Sequence, residues 1–255
     1  MARAHRRYHA VALQGRLSAD GPWNYRNSPH GDPEKTMAAP PDKSCSCARI
    51  VHAQGRIGQD RAEIIRQGNV TLVVVTDGAG GRTGGTEAAE SVINSVIEDF
   101  PTAQKVEGGQ FASEKLSEID RLLHRAPDCG EAAAIVLATT EGRISGAVVG
   151  DCEARLIDRE GQLPLAPPQR RAPFLGTGKT VPLPFAADSP EGRLIVGTDG
   201  LFRYVRDDSF REAASATTPR QACKALVSLV ELPSGNLRDD VAVVVCELDS
   251  QEGHR

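Results

Sequence analysis

The chain lacks a long apolar run, an excess of charge of either sign, an internal repeat and a cysteine framework. The short apolar stretch Ala10 to Leu13, although preceded by Arg3, Arg6 and Arg7, cannot form a signal-peptide core or a membrane span. A secreted or integral membrane protein is not expected. A net charge of −4 gives no general attraction to nucleic acid or an anionic membrane surface, so neither is expected as a partner. Six dispersed cysteines (Cys45, Cys47, Cys129, Cys152, Cys223 and Cys246) suit the reduced thiols of a cytoplasm. Cys45-Ser46-Cys47 has no second pair at zinc-site spacing and reads as a chance pair at a loop edge. His5, His9, His30, His52, His124 and His254 show no ligand spacing. A Gly-x-Ser-x-Gly elbow and a Cys-x5-Arg phosphate loop are also missing, which fits chemistry without a protein nucleophile.

What is present is an ordinary globular composition, 40% hydrophobic and 25% charged over 255 residues, enough for one large domain with a sizeable core. Residues 1–44 carry Gly, Pro, Asn and Asp clusters without apolar periodicity, as in an extended or disordered arm, in which Trp23 lies. The domain is expected over 45–249, with a tail over 250–255. Short β-type runs follow at Asn69 to Thr76, Ala134 to Ala138, Ile144 to Val149, Ala154 to Ile157, Leu194 to Gly197 and Val241 to Leu248. The connections at Thr140-Glu141-Gly142 and Asp158-Arg159-Glu160-Gly161 are too short for helical crossovers and predict an antiparallel meander. Helical periodicity appears at Thr86 to Phe100, Gln110 to Arg125 and Pro219 to Leu232. Together these predict an α+β layered sandwich with helices outside the sheets.

Three apolar strands end on an acid: Leu72-Val73-Val74-Val75-Thr76 runs into Asp77-Gly78, Ala147-Val148-Val149-Gly150 into Asp151, and Leu194-Ile195-Val196-Gly197-Thr198 into Asp199-Gly200. Asp239-Asp240 precedes Val241, and Asp60 precedes Ile64-Ile65. One Asp-Gly is ordinarily a turn; the repetition is what points to a site. If these ends meet, each carboxylate pair at about 4 to 5 Å repels by about 3 to 4 kcal/mol at an effective dielectric near 20. Hard divalent cations resolve that repulsion. The glycines around Asp77 let backbone carbonyls approach a metal. The same stretch fails as a dinucleotide fingerprint, because Thr83 stands where the third glycine belongs. Gly178-Lys179-Thr180 fails as a P-loop, with Pro173 at its first glycine and Pro182 and Pro184 beyond it.

In these residues the sequence resembles the metal-dependent Ser/Thr protein phosphatases of the type 2C, or PPM, family, in a bacterial-like form. Gly58-Gln59-Asp60-Arg61, Asp77-Gly78-Ala79-Gly80-Gly81, Gly150-Asp151-Cys152, Leu175-Gly176-Thr177-Gly178, Thr198-Asp199-Gly200-Leu201-Phe202 and Asp239-Asp240-Val241-Ala242 occur in the family's order, across about Ala48 to Leu248. The resemblance implies a four-layer α-β-β-α sandwich with two central, mainly antiparallel sheets. It also implies two Mn²⁺ or Mg²⁺ ions: Asp77 bridging them, the Gly78 carbonyl joining it, Asp199 and Asp239 completing the second, and Asp60 holding water. Asp151 with Asp199 would carry a third, weaker ion. The choice of Asp239 over Asp240 rests on the alignment. The implied reaction is hydrolysis of phosphoserine and phosphothreonine by a metal-activated water, with phosphoproteins and a Ser/Thr kinase pathway as partners, in a cytoplasmic monomer.

Several positions depart from the family. Ala79 replaces a histidine proposed as general acid in eukaryotic relatives, leaving that proton to water or a neighbour. Cys152 and Ala242 replace the usual serine and threonine, which alters hydrogen bonding around the ligands. Arg56 is the candidate phosphate clamp, but it stands one residue closer to Asp60 than expected; a bulge or a plain surface arginine accounts for it equally well. Arg82 reads as a solvated loop residue or a phosphate contact. The span from Asp151 to Asp199 is short, which predicts a reduced flap. The alternative to an active enzyme is a pseudophosphatase-like binding or regulatory module, and a third reading is a phosphatase for small phosphate esters.

Overall fold

A computed structural model describes residues 45–248 apart from 56, 80–83, 101–107, 127, 141, 167, 170–172 and 189. The arm expected over 1–44 and the tail over 250–255 lie outside the described residues, as do Arg56, Arg82 and Trp23. Along the chain come β1 (Ser46–His52), β2 (Arg61–Gln67), β3 (Val70–Ala79), α1 (Gly85–Glu98), α2 (Gly108–Arg125), β4 (Glu131–Thr140), β5 (Arg143–Val149) and β6 (Glu153–Ile157). Then follow β7 (Gln162–Ala166), β8 (Leu183–Asp188), β9 (Gly192–Gly197), α3 (Asp199–Phe202), α4 (Asp207–Ala214), α5 (Pro219–Ser228) and β10 (Val241–Leu248).

The continuous apolar runs of β3, β4 and β10 arise because both faces of each strand are buried. In β3, Val70, Leu72 and Val74 point to a layer shared with Val92 and Val96 of α1 and Leu116 and Ile119 of α2. Val73 and Val75 point the other way, toward Val196 and Val244. In β10, Ala242, Val244 and Cys246 face that same middle layer, whereas Val241, Val243 and Val245 face Phe210, Leu226 and Val227 beneath α4 and α5. Period-two alternation across three apolar layers yields helices, sheet, sheet, helices. The sheets are antiparallel throughout, ordered β1-β10-β9-β6-β7 and β2-β3-β4-β5-β8. The four-layer α+β sandwich is thus the observed architecture.

The expected meander divides in two. β4 and β5 form a hairpin in one sheet, β6 and β7 a hairpin in the other, and the chain changes sheets at Gly150-Asp151. Gly150 makes that turn at φ 86°, a left-handed conformation that costs glycine little. Strands β1, β2, β7 and β8 had no distinct apolar signature. β7 and β8 carry Pro164 and Pro184, and both lie at sheet edges, where a missing N–H is tolerated.

Candidate metal centre

In an antiparallel sheet the end of one strand lies beside the start of its neighbour. The ends of β3, β5 and β9 and the starts of β2 and β10 therefore share one rim of the sandwich, and an acid sits at each. Asp60 immediately precedes β2, Asp77 lies on β3 opposite Ala133, Asp151 follows β5, Asp199 opens α3 directly after β9, and Asp239 stands two residues before β10. Asp77 lies within electrostatic reach of the other four carboxyl groups.

Asp60 is 2% exposed, and Thr198 donates to it from Oγ1 at 2.6 Å. The same hydroxyl accepts the Ala242 N–H at 3.0 Å, so Thr198 ties the Asp60 loop to both β9 and β10. Arg61 donates to the carbonyls of Gly58 and Asp60, each at 2.8 Å, and to Glu90 of α1. Arg203 pairs with Asp199 at 3.3 Å on the exposed side.

The two adjacent acids before β10 have different surroundings. The Asp240 carboxylate accepts the backbone N–H groups of Gln54 and Gln59, both at 2.6 Å, and so orders the loop that presents Asp60. Asp239 accepts the Asp240 N–H at 3.0 Å and lies close enough to Asp77 to repel its charge. Gly78 donates its N–H to the Gln59 carbonyl at 3.3 Å and packs against the start of α1, where a Cβ would fall 2.2 Å from the Gly85 oxygen.

Burial pushes the Asp60 carboxyl up to about 9, aided by the neighbouring Asp77 charge. Burial likewise pushes Asp77 up to about 7, followed by the charges of Asp199 and Asp151. The two carboxyl groups interact directly, and Asp77 raises the cost of ionising Asp60. Carboxylates that resist ionisation this strongly form a donor set for hard cations, which replace the protons. The residues therefore fit divalent metal ions.

A pH dependence follows for the metal-free protein. Both folded-state values lie above the ordinary 3.8, so between about pH 4 and about pH 9 the folded state binds more protons than the unfolded one, and stability falls as pH rises. Thermal melts in chelator should show Tm declining across that range, with a divalent cation flattening the decline; a flat profile in chelator would contradict this electrostatic picture.

Sequence reading missed Thr198, a buried hydroxyl whose proximity to Asp60 depends on a contact across 138 residues. It also missed Asp120 of α2, whose carboxylate accepts the N–H groups of Gly176, Gly178 and Thr180 at 2.8, 3.0 and 3.2 Å. The Leu175-Gly176-Thr177-Gly178 run is thus held to α2 by Asp120. The candidate phosphate clamp, Arg56, lies outside the described residues.

Solved structures share this fold. A bacterial serine phosphatase superposes with a TM-score of 0.72 at 18% identity, covering 82% of this chain and all (100%) of the other. Serine/threonine phosphatase Stp1 from Staphylococcus aureus gives 0.70 at 19% identity, covering 80% and 95% of the two chains. Mycobacterium tuberculosis serine/threonine phosphatase PstP/Ppp gives 0.69 at 18% identity, covering 80% and 99%. No family model matches the sequence, and no curated protein matches it.

Proposed function

We propose that the chain is a divalent-cation-dependent phosphoprotein phosphatase that hydrolyses phosphoserine and phosphothreonine. The observation that carries this reading is the convergence of Asp60, Asp77, Asp151, Asp199 and Asp239 on one rim, with Asp60 and Asp77 resisting ionisation. The shared fold with structures named as serine and serine/threonine phosphatases supports it.

In this reading Asp77, the Gly78 carbonyl, Asp199, Asp239 and Asp60 hold two ions, Mn²⁺ or Mg²⁺, and Asp151 with Asp199 holds a third more weakly. Such ions supply an acidified water and positive charge against phosphoryl oxygens. Thr198 fixes the Asp60 carboxyl, and Asp240 fixes the loop beneath it. Arg56 is the proposed phosphate clamp. With Ala79 beside Gly78, no side chain at that position supplies a proton to the leaving group, and that role falls to solvent. Residues 45–249 are the catalytic unit, with 1–44 an arm and 250–255 a tail. A cytoplasmic role opposite a Ser/Thr kinase follows by analogy. The alternative, a catalytically silent binding module, gains no support from the site, since all the acids stand together. Among the described residues no helix is long and apolar enough to cross a membrane.

The neighbouring acids give a discriminating test. Asp239→Asn is expected to weaken the Mn²⁺ dependence of phosphate release by about tenfold or more with little change in Tm. Asp240→Ala removes the acceptor of the exposed Gln54 N–H and the half-buried Gln59 N–H and is expected to lower stability by about 1 kcal/mol. Titration of activity with Mn²⁺ alongside thermal melts separates the two. The reverse pattern would move the ligand role to Asp240.

A further inference from the structure

At the opposite end of β10 lies a second cluster of donor groups. Cys47 of β1 sits directly across from Cys246 of β10, and Cys45 precedes β1 two residues from Cys47, on the same face. All three turn inward to the apolar layer between the sheets, Cys246 fully buried and Cys45 and Cys47 at its rim. Their Sγ atoms lie within 4.8 Å of one another, with Cys45 and Cys47 at 3.3 Å. Arg66 of β2 donates to the Cys45 carbonyl at 2.8 Å, which sets a positive charge beside the group. Cys246 is six residues beyond Asp240, roughly 20 Å along an extended strand, so the thiols are remote from the carboxylate rim. The sequence conceals this group because its third member is 199 residues from Cys47 and joins it only through the β1–β10 ladder.

We propose that Cys45, Cys47 and Cys246 form a three-thiolate site for a thiophilic divalent cation of the Zn²⁺ type, distinct from the carboxylate centre. Three sulfurs bound tetrahedrally at about 2.3 Å from zinc stand about 3.8 Å apart, so each has to move by less than about 1 Å. Soft thiolates select Zn²⁺ over the hard ions suited to carboxylates. Each thiol loses its proton to solvent as its sulfur–metal bond forms, and water takes the fourth position. The three thiolates and one Zn²⁺ carry a net charge of −1, which Arg66 offsets. Small apolar residues would fill this rim equally well if packing were its only role. Bound metal would pin the beginning of edge strand β1 to β10, where the polypeptide enters the domain, and this inference stands independently of the phosphatase reading.

The test uses the full chain, reduced and stripped with chelator, then titrated with Cd²⁺ in excess Mg²⁺ so that carboxylates are occupied. Thiolate-to-metal charge-transfer absorption should saturate at one Cd²⁺ per chain and be abolished by competing Zn²⁺. Cys47→Ser and Cys45→Ser should each weaken binding by about a hundredfold or more, beyond the loss seen when a ligand's own partner is removed. Cys129→Ser and Asp77→Asn should leave the absorption intact. Zn²⁺ should also raise the Tm of the wild type but not of Cys47→Ser, a readout that requires only that the wild type be folded. Absence of the absorption in the wild type, or its persistence at full strength in Cys47→Ser, would overturn the proposal.

Discussion

Asp77→Asn is expected to reduce cation-dependent phosphate release by about three orders of magnitude or more, while making the metal-free protein more stable than the wild type. The two effects share one cause. Asp77 is half-buried among Asp60, Asp199, Asp151 and Asp239, and its carboxyl is pushed up to about 7. Ionisation is therefore costly in the folded state without a cation. Asparagine keeps the shape, removes the charge, and can still hydrogen-bond with Asp60. The gain in Tm should appear in chelator at pH 8, shrink as the pH is lowered, and vanish only below about pH 4, where the carboxyl is protonated in the folded and the unfolded chain alike. A variant that retains activity within about tenfold, or that melts lower than wild type in chelator at pH 8, would argue against Asp77 at the centre of the cluster.

Gly78→Ala should produce a large structural effect for a single methyl group. A Cβ there would stand 2.2 Å from the Gly85 oxygen and 2.6 Å from its carbonyl carbon, and both are backbone atoms that no rotamer change can move. The end of β3 and the start of α1 have to separate, which also displaces Asp77. Overpacking of this kind costs about 1 to 3 kcal/mol, a fall in Tm of several degrees, together with loss of activity. Gly55→Ala is the control: nothing lies within 4 Å of the added Cβ, and both properties should match the wild type. Equal behaviour of the two variants would contradict the close approach at Gly78.

Much of this architecture was legible because the central strands are buried on both faces. Leu72 to Val75 and Val241 to Val245 are continuous apolar runs, the first leading into Asp77 and the second starting directly after Asp239-Asp240. The strand-end acids were readable for the same reason: the apolar run stops where the carboxylate stands. Edge strands were harder to read. β7 and β8 contain proline, and β1 exposes half its residues, so none carries strong alternation. The division of the meander between two sheets depends on how Gly150-Asp151 turns, which local spacing does not specify. Thr198, Asp120 and the Cys45-Cys47-Cys246 group all rest on contacts between residues far apart in sequence. The different surroundings of Asp239 and Asp240 likewise rest on the contact of Asp240 with the Gln54 and Gln59 amides, invisible until the β1–β2 loop is folded against β10.

The central claim is that this rim of carboxylates hydrolyses phosphate esters with the help of divalent cations. Phosphate release from a phosphothreonine peptide and from p-nitrophenyl phosphate, measured for the purified chain in Mn²⁺, in Mg²⁺ and in chelator, tests it most directly. The account predicts turnover in Mn²⁺ or Mg²⁺ that chelator abolishes and added cation restores. A well-folded sample that releases no phosphate in either ion, or that releases it equally in chelator, would contradict it.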